Sequence, residues 1–254
     1  MIPSVRDIYN LIDRIAPFAT AEEWDNVGLL AGKYDAQASR AMCALELNTA
    51  VLREAIDRRI QLIITHHPIL FGGRKNLCEG DAEGRMLCDL VRNHISLIAA
   101  HTNYDIAAGG VNDALAAALG LTCVEAPEAD MLRIGSPVQS TFGEFADFAQ
   151  RALGAPIRRY GEADREIHRV AVLGGSGGSY AQVARRFGAD AFLTGEIGHH
   201  TAWSAYEEGM CVLEAGHGAT ELPAISTLAG GLQKAANALQ YQIDIQLSET
   251  ELFR

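Results

Sequence analysis

Thiols are scarce in this chain. Its 254 residues include five cysteines (Cys43, Cys78, Cys88, Cys123 and Cys211), an odd number with no C-x-x-C pair. That excludes a disulfide framework and any thiolate metal site at standard spacing, and it fits reduced, mostly buried thiols in a cytoplasmic protein. Basic residues are also few: 21 Lys and Arg stand against 32 Asp and Glu, giving a formal charge of -11. Without a Lys/Arg cluster, nucleic acid and anionic membranes are poor partners. Although 48% of the residues are hydrophobic, no apolar run approaches the ~20 residues of a membrane span. The opening MIPSVRDIYNLIDRI mixes charge with apolar residues, so it does not read as a signal peptide. The length suits one large domain or two smaller ones, and the chain needs neither disulfide nor metal merely to fold.

What is present is an alternation of strands and helices. Ile2, Val5, Ile8, Leu11, Ile12 and Ile15 recur at helical steps, with Ser4 and Asp7 as a capping pair. MCALEL reads as a strand, 49–58 as a helix, and QLIIT as a strand ending in His66 and His67. A Gly- and charge-rich loop (72–84) leads to a helix near 86–93, the strand ISLIAA, His101 and the helix VNDALAAALG. The second half repeats this order. Thr141 and Glu144 cap FADFAQRAL, followed by the strand RVAVLGG, a helix near 179–187 and the strand AFLTG. A helix through Trp203 and Tyr206, the strand CVLEAG and a helix from about Thr220 come next. YQIDIQL closes as a strand with one wet face. Such alternation predicts α/β layers with largely parallel strands. Residues 40–65 and 169–194 align without a gap, mainly in apolar pattern, and the strand before His101 matches the strand before His217. The expected fold class is therefore α/β, with two related halves from an internal duplication.

Four of the eight histidines close predicted strands: His66, His67, His101 and His217. Ligands bind at that edge of open α/β sheets. HTNYD and HGATE each place a carboxylate four residues after the histidine, Asp105 after His101 and Glu221 after His217. Adjacent strand residues point to opposite faces, so the HH pair suits two ions better than one. Six imidazole and carboxylate ligands exceed one tetrahedral zinc. They suit two divalent ions bridged by a carboxylate, for which Glu221, expected in a helix's first turn, is the candidate. Without thiolate the set fits Zn, Fe, Mn, Co or Ni. GGSGGS (174–179) lacks both the dinucleotide and P-loop signatures and reads as a tight strand–helix turn or a phosphate or substrate contact. Glu196 matches His67 in the repeat and is a candidate for the same cleft. His199 and His200 read as helix-face residues, and His94 and His168 as structural or surface residues.

The stretches EEWDNVGLLAG, THHPILF, AHTNYDIAAGGVNDALAAALGL, VAVLGGSGGSYAQVA, ADAFLTGEIGHH and EAGHGATE together resemble the NGG-interacting-factor family of dinuclear metal proteins. Its bacterial members are called GTP cyclohydrolase I type 2 homologues. The resemblance runs nearly end to end and implies two α/β domains, 1–125 plus 222–254 and 126–221, with the metal pair in the interdomain cleft of a ring-like homohexamer. It carries over His66, His67, Asp105, His217 and Glu221 as ligands, holds His101 less firmly, and places EEWDN near the cleft. The name implies hydrolytic opening of the purine of GTP. Glu221 would then support the activated water, with Glu196 or an unligated His101 as general acid. A two-metal hydrolase of another substrate, such as a phosphoester, and a non-catalytic metal-binding partner protein are the other readings.

Overall fold

The computed structural model describes residues 1–127 and 131–250. They divide into two compact units: Met1–Ala108 with the described residues from Ile225 onward, and Gly109–Ala224. Elements are numbered along the chain.

The first unit is built on a five-stranded sheet. Its strands are β1 (Gly28–Ala31), β2 (Arg40–Ala44), β3 (Leu62–Thr65), β4 (Ser96–Ala99) and β11 (Asp244–Leu247), ordered β1-β4-β3-β2-β11. β11, β2, β3 and β4 run parallel, and β1 lies antiparallel on β4. β3 and β4 are buried along their full length, which is why they read as continuous apolar runs rather than alternating ones. Met42, Ala44, Ile63 and Leu97 pack on one face against Val51, Leu52 and Ala55 of α2 (Thr49–Asp57) and Leu87 and Leu90 of α3 (Ala82–Arg92). Asn48 caps α2 by accepting from the backbone N–H groups of Ala50 and Val51, and Ser4 with Asp7 forms a capping box on α1 (Val5–Ile15).

The second unit has a six-stranded sheet ordered β5-β6-β8-β9-β10-β7: β5 (Thr122–Glu125), β6 (Arg133–Ser136), β7 (Arg158–Tyr160), β8 (Val170–Leu173), β9 (Ala191–Thr194) and β10 (Cys211–Glu214). Only β8-β9 and β9-β10 pair in parallel; β5-β6, β6-β8 and β10-β7 are antiparallel. The expectation of largely parallel strands therefore holds for the first sheet and fails for the second. Its antiparallel strands are three or four residues long, too short and, in TCVE and RRY, too polar to stand out as apolar periods. The period-2 burial of the central strands is exact. Val170, Val172, Leu193 and Leu213 face α5 (Val111–Ala118) and α6 (Phe142–Leu153), with Phe142 and Phe145 in that core. Ala171, Leu173, Phe192 and Val212 face α7 (Ala181–Arg186) and α8 (His199–Glu207).

The two units share one internal register. β2 residues pair with β3 residues 21 positions on (Ala41 with Leu62), and β8 residues pair with β9 at the same offset (Val170 with Ala191). Three of the five thiols differ from expectation: Cys43 and Cys211 are buried, Cys88 is partly exposed, and Cys78 and Cys123 are exposed. No helix among the described residues is long and apolar enough to cross a membrane.

Candidate metal centre

In the first unit, β3 and β4 end side by side, with Thr65 paired to Ala99. The chain then leaves each strand on a histidine. His66 and His67 lie just beyond β3, so strand alternation no longer separates them. Thr65 donates its hydroxyl to the His67 carbonyl, and the two rings sit 5.0 Å apart. The expectation that they face opposite ways is corrected for this reason. His101 precedes α4 (Thr102–Ile106), with its ring 5.1 Å from His66 and 5.6 Å from His67. One ring nitrogen from each of the three lies within 4.8 Å of the other two. Asp105, one turn into α4, brings Oδ1 to 3.5 Å from His66 Nε2.

Two of these rings have their protons assigned by their partners. His66 is fully buried, and its Nδ1 sits 2.9 Å from the Ala100 carbonyl, a group that can only accept. His101 Nδ1 sits 2.9 Å from Asp25 Oδ1. Burial pushes the Asp25 carboxyl up, but hydrogen bonds from His101 and Thr102 outweigh it and hold the group well below the usual carboxylate range. Asp25 is thus an acceptor too. In the neutral rings Nδ1 carries the proton and Nε2 keeps its lone pair, which is the arrangement of metal-binding imidazoles oriented by an outer acceptor.

The second unit supplies the other expected residues. β10 ends at Glu214, Gly216 takes a left-handed φ of 85°, and α9 (His217–Ala238) begins on His217 itself. That start is three residues before the expected one, so Glu221 lies beyond the first turn and the dipole argument for it fails. The i,i+4 spacing still joins the pair on one helix face: His217 Nε2 is 3.2 Å from Glu221 Oε1, and its Nδ1 is 3.3 Å from Glu196 Oε1. Glu221 is buried and Glu196 exposed. Hydrogen bonding to Glu221 raises the His217 imidazole to about 9 against the pull of burial, and Glu196 adds to the rise. A cation taking up that nitrogen has to displace its proton.

Four amides of the Gly-rich loop are already committed within the chain. The amide N–H groups of Gly174, Gly175 and Gly177 go to the side-chain oxygens of Asn112, Thr220 and Thr194, and that of Gly178 to the Glu196 carbonyl. The loop instead makes room. A Cβ on Gly175, where φ is 63°, would overlap Glu221 Oε1 and stand 3.2 Å from His217 Nε2. One on Gly195 would meet the Gly175 carbonyl at 2.5 Å and His217 Cα at 2.8 Å. Arg74, a basic residue of the loop 72–84, is held by Asp81 and Glu83 at 2.7 and 2.6 Å. His199 and His200 open α8 as exposed neighbours, and His94 is exposed at a left-handed φ of 55°. Spacing had not tied Asp25 to His101, 76 residues away. Nor had it singled out Asn103, which accepts from the His101 backbone N–H and donates to the Ala16 carbonyl.

Fold and site together define a two-unit α/β protein with histidine and carboxylate groups that could hold a metal. The chain matches the Duf34/NIF3 (NGG1p interacting factor 3) family over residues 3–252 and belongs to it. A GTP cyclohydrolase 1 type 2 homolog of Clostridium acetobutylicum is 31% identical, covering 98% of this chain and 96% of its own. One of Streptomyces coelicolor is 32% identical over 98% and 92%. Among solved structures, a hypothetical protein of Staphylococcus aureus superposes with a TM-score of 0.93 at 29% identity, covering 99% of this chain and 98% of that one. A Bacillus cereus protein related to NIF3 gives 0.94 at 24% identity over 99% and 98%, a likeness of fold alone.

Proposed function

We propose that this chain binds two divalent metal ions and is a metal-dependent hydrolase of the kind its relatives' names describe. One observation carries the reading: three imidazoles gathered within 4.8 Å, two of them with Nδ1 committed to oxygen acceptors. Neutral imidazoles with nearby carboxylates and no thiolate suit Zn, Fe, Mn, Co or Ni. His66, His67, His101 and Asp105 would form one set and His217 with Glu221 the other. In this reading the two duplicated domains would each contribute one set, with Glu221 among the ligands. Bound ions of this type act as Lewis acids and bring the pKa of water to about 7. The chain's own part is to orient Nε2 of His66 and His101, to hold Glu221 in a buried setting, and to keep Glu196 accessible for proton transfer.

The substrate in this reading is a purine nucleotide such as GTP. The committed loop amides and the paired Arg74 offer little grip on a triphosphate and favour a second reading, a two-metal hydrolase of another substrate such as a simple phosphoester. Elemental analysis of protein purified without chelator tests the metal claim, with about two ions per chain expected. Asp105→Ala and Glu221→Ala should each lower that content, while His94→Ala leaves it unchanged. Metal-free wild-type protein, or full metal in Glu221→Ala, would overturn the corresponding assignment. Incubation of the metal-loaded protein with GTP should release formate. Phosphate release from simple phosphoesters without formate would replace the first reading by the second.

A further inference from the structure

The loop EEWDN carries a carboxylate, Asp25, whose side chain is wholly buried, far in sequence from the histidines. Both oxygens of Asp25 are engaged. Oδ1 faces His101 Nδ1 at 2.9 Å, and Oδ2 accepts from the Thr102 backbone N–H at 3.0 Å and its hydroxyl at 2.6 Å. The loop is held over this corner from both ends: the Glu22 N–H donates to Thr102 Oγ1, and the Asn26 amide donates to the Leu70 carbonyl. Asn103 fixes the His101 backbone from below. The Asn26 backbone N–H also donates to Asp25 Oδ1, at 2.8 Å. A buried carboxylate needs a strong reason to stay charged, and four donors supply it.

We propose that Asp25 is a positioning residue: it sets the proton of His101 on Nδ1 and turns Nε2 toward His66 and His67 as the atom offered to a metal. The assignment rests on the metal-binding reading. Its partner His66 has its proton placed by a backbone carbonyl, which no substitution removes, so the His101 tautomer is the half of the arrangement that side-chain chemistry controls. An asparagine at position 25 has nearly the same shape, yet its amide oxygen would be claimed by the two Thr102 donors, at the expense of the Asn26 N–H. Its NH2 group would then face His101 Nδ1, which must accept, and the ring proton would move to Nε2. The same substitution beneath a catalytic histidine gives the wrong tautomer with geometry intact.

The experiment compares the wild type, Asp25→Asn and Asn26→Ala in the metal-free full chain. Nitrogen-15 NMR of the imidazoles reads the tautomer, and titration with Zn or Mn reads affinity. The wild type should show the Nδ1–H form for His101, and Asp25→Asn the Nε2–H form with a 10–100-fold loss of metal affinity. Asn26→Ala, which removes the loop's side-chain hydrogen bond to Leu70 but leaves every donor on Asp25 in place, should keep the wild-type tautomer and affinity. An unchanged tautomer or affinity in Asp25→Asn overturns the proposal, and so does an equal affinity loss in Asn26→Ala, which would make the loop's structure the cause. A wild type with the Nδ1–H form but no metal affinity would sink the metal reading while upholding the role of Asp25 in setting the tautomer.

Discussion

The claim that the Gly-rich loop exists to leave space for Glu221 and His217 can be put to a sharp test with Gly175→Ala. Two costs are separable. An alanine at φ 63° pays roughly 1–2 kcal/mol for the left-handed backbone. Its Cβ also overlaps Glu221 Oε1. Because that side chain is only 4% exposed, it has little room to swing aside, and overpacking of this kind costs about 1–3 kcal/mol. Together they amount to about 2–5 kcal/mol, a large share of the ~5–15 kcal/mol that holds a domain folded. Gly188 provides the control: its φ is 76° and nothing lies within 4 Å of an added Cβ, so Gly188→Ala should show the backbone cost alone. Urea unfolding of the two variants reads the difference. Metal titration of Gly175→Ala should show at least ~10-fold weaker binding, as for loss of an orienting neighbour, while Gly188→Ala titrates normally. Equal destabilisation of the two, with normal metal binding in Gly175→Ala, would refute the idea that the loop shapes the site.

Two further outcomes concern the first unit. Burial raises the Glu54 carboxyl, but donation from Ser248, the Glu249 N–H, Thr250 and Arg58 more than reverses this and lowers it to about 2. A depressed carboxylate stabilises the fold above its ordinary value of 4.5 and loses that contribution as pH falls toward 2. Solvent screening leaves about 1–2 kcal/mol of it. Glu54→Gln should therefore be less stable by that amount at pH 7, and the gap should narrow below pH 4.5 and close only near pH 2; a gap independent of pH would contradict the linkage. Asn103→Ala strands the buried His101 N–H and the Ala16 carbonyl, so chemical denaturation should show a loss of about 2–4 kcal/mol. A loss below ~1 kcal/mol would mean that water replaces the amide.

Elements whose burial follows their own period were legible in the sequence. α1 and α6 carry capping boxes and apolar spacing, and both boxes form. The strands before His66, His101 and His217 are uniform apolar runs because they are buried on both faces. β1, β5, β6 and β7 escaped notice because pairing with a neighbour, not their own apolar content, makes them strands, and one sequence carries no trace of a partner's register. The start of α9 was misjudged because Gly216, Gly218 and the nearby Pro223 all read as punctuation, whereas the helix admits Gly218 in its first turn and Pro223 farther in.

The histidines themselves were visible for a simple reason: an apolar strand that stops on a polar side chain marks the sheet edge where side chains meet. What orients them was not visible. Asp25 looked like one acid among several in EEWDN, and only the fold distinguishes it, since its neighbours Glu22 and Glu23 are exposed while the Asp25 side chain is buried against four donors. The Gly-rich loop shows the converse. Its composition suggests a phosphate cradle, but a cradle needs unspent amides, and Asn112, Thr194 and Thr220 consume three of them. Composition indicates that a backbone passes close to something. Only the space around Gly175 shows that the something is the chain's own His217 and Glu221.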